Sequence, residues 1–179
     1  KDVQPEVLLN QLYRKTQLQI SYGINMLALV DNTPRVLPIK ELIQVYINHQ
    51  IDIIERRTRF DLQKALDRAH ILEGLIIAID NIDEIIEIIK SSANDPEALS
   101  RLMSRFNLSE IQAQSILDMQ MKRLTGLQRQ KITDEYNQLQ LSIADYRDIL
   151  SKPERVTGII KTELEELKEK YRDDRRTSI

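Results

Sequence analysis

From Pro38 to Ile79 the chain runs with no further proline and a single glycine, Gly74, until a new boundary at Asn81-Ile82-Asp83-Glu84. That uninterrupted stretch predicts one very long helix. Within it Ala65, Ala69, Leu72, Ile76 and Ile79 step by four, three, four and three, the alternation that holds a narrow apolar seam on one side. Ile39, Ile43, Ile47, Ile51 and Ile54 repeat it more loosely upstream. At about 1.5 Å per residue the helix would reach on the order of 60 Å, more than a compact domain of this size requires. It therefore needs a partner along its length. Between Ile132 and Leu150 the positions Ile132, Tyr136, Leu139, Ile143, Tyr146 and Leu150 carry the matching seam. The segment from Asn81 to Gly126 then becomes an insertion at the end of a helical hairpin.

The remaining elements follow in order. Pro5 suits the first turn of a helix that carries Leu8, Leu9, Leu12 and Tyr13 and fades near Thr16. Alternation at Leu18, Ile20 and Tyr22, then the run Ile24–Val30, predict strand. Asp31-Asn32-Thr33-Pro34 predicts a turn, and Arg35-Val36-Leu37 a returning strand. After the long helix, Asn81 is a candidate cap for a helix with the stripe Ile82, Ile85, Ile86 and Ile89. Ser91–Asn94 reads as a loop, and Asp95-Pro96-Glu97 opens a helix with Leu99, Leu102, Met103 and Phe106. Ser109, with Gln112 three residues on, forms a capping box for a helix expected to run to Leu124 and stop at Thr125-Gly126. On that helix Ala113, Leu117, Met121 and Leu124 share a face, and Ile116 and Met119 lie around from them, a wide apolar arc that suits deep burial or contact with a second copy. Ser151-Lys152-Pro153-Glu154 then breaks the returning helix, and a last one carries Val156, Ile160, Leu164, Leu167 and Tyr171.

The fold class expected is mainly α: a long antiparallel coiled coil, a small helical globular domain at its tip, and a short β-hairpin platform at the other end. The divisions expected are 1–38 for the helix and hairpin, 39–80 for the first arm, 81–126 for the tip, 127–151 for the returning arm, and 152–179 for the terminal helix and tail. Gly74 could bend the long helix or be a close-packing position, and the second reading is preferred.

Composition narrows the function classes. Of 179 residues, 30% are charged and 4% aromatic, which suits a helical rod better than a sandwich or barrel. The formal net charge is -2, so nucleic-acid contact would depend on local patches. Cysteine is absent, which removes disulfides and thiolate chemistry and suits a reducing compartment. The Ile-rich stretch 75–89 is interrupted by Asp80, Asn81, Asp83, Glu84 and Glu87, so no span across a bilayer is expected. The first residue is Lys1, and the chain reads as a piece of something longer. The only histidines, His49 and His70, would lie roughly 30 Å apart on one helix and could not share a metal. His70, beside the seam, is expected to be packed or hydrogen-bonded. With four glycines in all there is no phosphate-binding loop. No metal, cofactor or catalytic constellation is expected. Basic residues cluster at Arg56-Arg57-Thr58-Arg59 and around Lys122-Arg123. These are candidate phosphate contacts, or simply the solvated sides of helices.

Several blocks carry a specific resemblance: Gly23-Ile24-Asn25-Met26-Leu27-Ala28-Leu29-Val30, Arg57-Thr58-Arg59, Lys64-Ala65-Leu66-Asp67-Arg68-Ala69-His70-Ile71-Leu72-Glu73-Gly74-Leu75, Gln112-Ala113-Gln114-Ser115-Ile116-Leu117-Asp118-Met119, Arg123-Leu124-Thr125-Gly126-Leu127 and Asp174-Arg175-Arg176-Thr177. Together they resemble the A subunits of bacterial type IIA topoisomerases, DNA gyrase and its sister topoisomerase IV, with Arg-Leu-Thr-Gly-Leu and the Arg-Arg-Thr ending favouring gyrase. The resemblance implies the end of a tower domain, the coiled-coil arms, and the tip that forms a homodimer interface, the exit gate. It implies a cytoplasmic enzyme that passes one DNA duplex through another, with ATP and Mg bound by a B subunit. The catalytic tyrosine would lie upstream of Lys1, and none of the six tyrosines here stands in the family's Arg-Tyr motif. On this basis the dimer-interface candidates are Ile116, Met119, Gln120 and Arg123. The DNA-contact candidates are Arg56, Arg57, Arg59 and Lys122. The alternative is a free-standing coiled-coil scaffold or DNA-binding arm.

Overall fold

The computed structural model describes residues 4–119 and 126–177, with 126–128 as backbone only. Among these residues the chain forms seven helices and one two-stranded antiparallel sheet, the mainly α class expected. Two compact units divide it, Lys1–His49 and Gln50–Ile179.

In the first unit α1 spans Pro5–Lys15, with Pro5 in its first turn, where a missing N–H costs nothing. Strands β1 (Leu27–Val30) and β2 (Thr33–Val36) pair with Val30 opposite Thr33. The turn is therefore only Asp31-Asn32, both left-handed at φ 50° and 61°, the primed geometry that matches strand twist and that Asp and Asn tolerate. This shortens the expected four-residue turn and moves Thr33 and Pro34 into the strand. Pro34 sits opposite Leu29, a non-hydrogen-bonded pair next to the turn, so its missing N–H removes no rung. Residues 18–26 form no strand despite their alternation. Only the Met26 carbonyl continues the pairing, accepting from the Leu37 N–H at 2.9 Å; the sheet has no third strand for the rest to join.

Helix α2, Ile39–Asp80, is the long helix that the sequence predicts. In the second unit it packs against α6 (Gly126–Ser151) and α7 (Pro153–Tyr171). Ile54 meets Ile149, Val156 and Ile160; Ala65 and Ala69 meet Ile143; Leu72 and Leu75 share a cluster with Ile132. Partners fall in number as α2 rises, so the two helices run antiparallel. Alanines at 65 and 69 let the backbones approach, with Tyr136, Leu139 and Tyr146 closing the sides. Beyond Leu72 the buried face of α2 turns to Leu75 and Ala78 in place of Ile76 and Ile79, because three short helices now cover it from another side. At the other end Ile149 is buried in place of Leu150, drawn toward α7.

Those short helices are α3 (Ile82–Ser91), α4 (Asp95–Phe106) and α5 (Glu110–Leu117). Asn81 does not cap α3 as expected. Its side-chain amide donates to the Ile77 carbonyl at 2.9 Å, closing the end of α2. The buried pair on α3 is Ile85 and Ile88, so the stripe is rotated from the expected one, and Ile89 is exposed. For α4, the Asn94 side chain accepts from the Glu97 N–H at 3.0 Å, and Asn107 closes the end in a left-handed conformation at φ 53°. The core gathers Leu72, Leu75, Ala78, Ile85, Ile88, Leu102, Leu108, Ala113, Ile116 and Ile132.

Candidate functional site

Helix α5 leads into the interface candidates, and it is shorter than expected. The Ser109–Gln112 capping box forms in both directions: the Gln112 N–H donates to Ser109 Oγ, and the Ser109 N–H donates to Gln112 Oε1. The helix then ends at Leu117 instead of Leu124. The Asp118 N–H bonds to the Gln114 carbonyl and the Met119 N–H to that of Ile116, a tightening turn. Gln120, Lys122 and Arg123 lie outside the described residues.

The short helix has a sharp division of faces. Gln112, Ala113 and Ile116 are buried. Ile116 is only 3% exposed and packs in the shared core, the deep burial that is one of the two readings of the apolar arc: its side chain is enclosed by its own chain. Met119 is half-buried and lies against the same core. The open face belongs to Ile111, 62% exposed, with Gln114 and Asp118 exposed and Ser115 half-buried beside it. Sequence periodicity misses this face because it takes Ala113 and Leu117 as the inward line; the buried line is Gln112, Ala113 and Ile116.

Gln112 is buried at 5% exposure because it seats in a notch on α2. A Cβ added at Gly74 would stand 2.8 Å from both Cβ and Cγ of Gln112, so only glycine admits it. This bears out the close-packing reading of Gly74. From there Gln112 Nε2 donates to the His70 carbonyl at 2.8 Å. His70 Nε2 lies 2.7 Å from Ser109 Oγ, and His70 Nδ1 lies 3.4 Å from Gln112 Nε2. Because Gln112 Oε1 is taken by the Ser109 N–H, Nε2 is its donor, and the His70 tautomer that fits carries its proton on Nε2. No buried side-chain polar atom among the described residues lacks a partner. The signal for this joint is present in the sequence, since Gly74 follows His70 by one helical turn.

The arginine cluster is otherwise occupied. Arg56 pairs with Asp52 at 3.0 Å, Arg59 with Glu55 at 2.6 Å, and Arg57 with Glu163 of α7 at 2.8 Å. The three arginines lie close along one helix, but each is matched by a carboxylate of its own chain, so they form no uncompensated positive field. Arg68 makes a two-pronged contact with Glu135 at 2.7 and 3.1 Å, which ties α2 to α6 and raises the guanidinium above its ordinary pKa, chiefly through that hydrogen bond. Arg129 joins Asp80 at 2.5 Å, and Arg105 joins Glu84. No group of His, Cys, Asp or Glu suited to a metal occurs among the described residues. Among them, too, no helix is long and apolar enough to cross a membrane.

Among the described residues the second unit is thus a pair of long helices bearing a compact three-helix tip, with the Gln112 joint between α2 and α5. Its family follows from comparison with known proteins. Residues 1–165 match the family model of the DNA gyrase/topoisomerase IV A subunits, and the chain belongs to that family. It is 53% identical over its whole length to the DNA gyrase A subunit of Streptococcus pneumoniae, covering 22% of that protein. It is 54% identical to the gyrase A subunit of Clostridium acetobutylicum, also 22% covered, and 51% identical to that of Leptospira biflexa, 21% covered. The chain thus spans about a fifth of the length of the curated relatives it matches.

Proposed function

We propose that this chain is the arm and exit-gate region of a bacterial DNA gyrase A subunit. The observation that carries the reading is the antiparallel packing of α2 on α6, ending in the three-helix tip of a chain whose full length aligns with gyrase A subunits. Two copies dimerise through the tip. A two-fold contact places the same patch on both chains, and a gate needs a patch small enough to part. The face of α5 bearing Ile111 and Ser115 meets that need: one exposed isoleucine within a polar rim. Met119, Gln120 and Arg123 stay candidates for the same contact on the sequence pattern. In the assembled enzyme one duplex is cut and another passes through it to leave between the tips. ATP and Mg are held by the B subunit, in the cytoplasm. The nucleophilic tyrosine belongs to a part of the protein outside this chain, which has no catalysis of its own.

The alternative of a DNA-binding arm draws little support, because Arg56, Arg57 and Arg59 are already paired. Topoisomerase IV shares the family model, while the relatives described above are gyrase subunits.

The test is a graft. This chain replaces the matched stretch of the pneumococcal gyrase A subunit; the product is combined with the B subunit, then assayed for DNA cleavage and ATP-driven supercoiling. Both activities are expected, and Ile111→Asp in the graft should retain cleavage and lose supercoiling. Full supercoiling by a graft whose tips do not associate would contradict the reading.

A further inference from the structure

We infer that the buried Gln112 carboxamide is a clasp that makes the last turns of α2 and the whole of α5 one rigid body. Three connections meet within a single turn of each helix. The Gln112 side chain fills the notch at Gly74, where no other residue type leaves room for it. Its Nε2 reaches the His70 carbonyl, which lies beside the notch on the same helix. The His70 ring reaches back to Ser109 Oγ, the oxygen that caps α5. The carboxamide of Gln112 thus satisfies the cap with one end and the neighbouring helix with the other.

The polar links from α2 to α6 are of a different kind. Arg68–Glu135 and Arg129–Asp80 are solvent-exposed ion pairs on long side chains, which tolerate sliding. The Gln112 side of the joint is buried, while His70 lies at the surface; on the buried side a shift does not come free, because it leaves the Gln112 amide without its partner. The open face of α5 is therefore aimed by α2. The mechanical consequence rests on reading the tip as a gate. The clasp does not, and it is tested in the chain alone.

The experiment is hydrogen exchange followed by mass spectrometry on the 179-residue chain. In the native chain the amides of Ala113–Ile116 should open together with those of Leu72–Ala78 as denaturant is raised. Opening of α5 about tenfold or more ahead of α2 would overturn the proposal. Gln112→Met keeps the length and packing of the side chain and removes the amide. It should speed exchange in α5 by about tenfold while leaving Leu102–Phe106 of α4 within roughly twofold. Unchanged protection of α5 in that variant would equally refute the clasp. If the variant fails to fold, the native comparison still decides. A chain that is monomeric yet opens α2 and α5 together would remove the gate reading and leave the clasp standing.

Discussion

Replacing Gly74 with alanine puts the joint under direct load. Within an ordinary helix the change is favourable by about 1 kcal/mol, through lower backbone entropy in the unfolded chain. Here the new methyl would meet Gln112 Cβ and Cγ at 2.8 Å and Cδ at 3.3 Å, so α5 must move away. Overpacking of that kind costs about 1–3 kcal/mol. Withdrawal also breaks the bond from Gln112 Nε2 to His70, and an amide left buried without a partner adds about 1–3 kcal/mol. After the helix-propensity gain, the net loss is about 1–5 kcal/mol, or roughly 2–20 °C in melting temperature for a chain of this length. Gly158, on exposed α7, is the control: a Cβ there meets nothing within 4 Å. Gly158→Ala should stabilise by up to about 1 kcal/mol. The assay is thermal unfolding of both variants followed by circular dichroism. A Gly74→Ala protein as stable as Gly158→Ala would refute the close-packing argument. So would full rescue by Gln112→Ala, since Cβ at position 112 is itself one of the clashing atoms.

Ile54, 1% exposed among Ile149, Val156 and Ile160, should cost about 2–4 kcal/mol as Ile54→Ala in urea unfolding. Arg57→Ala, which removes an exposed pair with Glu163, should cost less than about 1 kcal/mol and less still in high salt. Asp148 is held below its ordinary pKa of 3.8, first by its bond from Lys152 and further by the charges of Lys152 and Arg155. Its ionised form therefore stabilises the fold above 3.8, and that contribution disappears as pH falls below it. Acid titration of unfolding should accordingly show Asp148→Asn less stable than the native chain at neutral pH, with the difference closing as the pH falls below the ordinary value of 3.8 and through the lowered folded one. Finally, Ile111→Asp should leave helicity and melting temperature nearly unchanged, because this side chain faces solvent in the single chain. Ile116→Asp should unfold the tip.

The long helix was legible because nothing between Ile39 and Asp80 interrupts it and its seam repeats without error from Ala65 to Leu72. The seam failed at both ends for one reason. Periodicity assumes a single partner, whereas Leu75 and Ala78 are turned by the tip helices and Ile149 by α7. The hairpin was legible as to place but not register, since Pro34 argued against strand and only pairing with Leu29 shows why it is tolerated. Asn81 reads as a cap because its spacing to Glu84 fits one, and spacing cannot say which of two abutting helices a side chain serves. The candidate site was the least legible part. An apolar arc on α5 does not separate Ile116, enclosed, from Ile111, open, until the direction of approach of α2 is known. Ser109 and Gln112 were visible as a capping box, yet the second use of Gln112 depends on Gly74, 38 positions earlier in the chain. Likewise the basic run at Arg56–Arg59 carries no sign in the sequence that Glu163 answers Arg57.

The most direct measurement is the solution mass of the chain by sedimentation equilibrium over a wide concentration range, with Ile111→Asp run alongside. A dimer that persists on dilution and becomes a folded monomer in the variant is the expected result. A native chain that remains monomeric at every concentration would contradict dimerisation through the tip, and with it the gate.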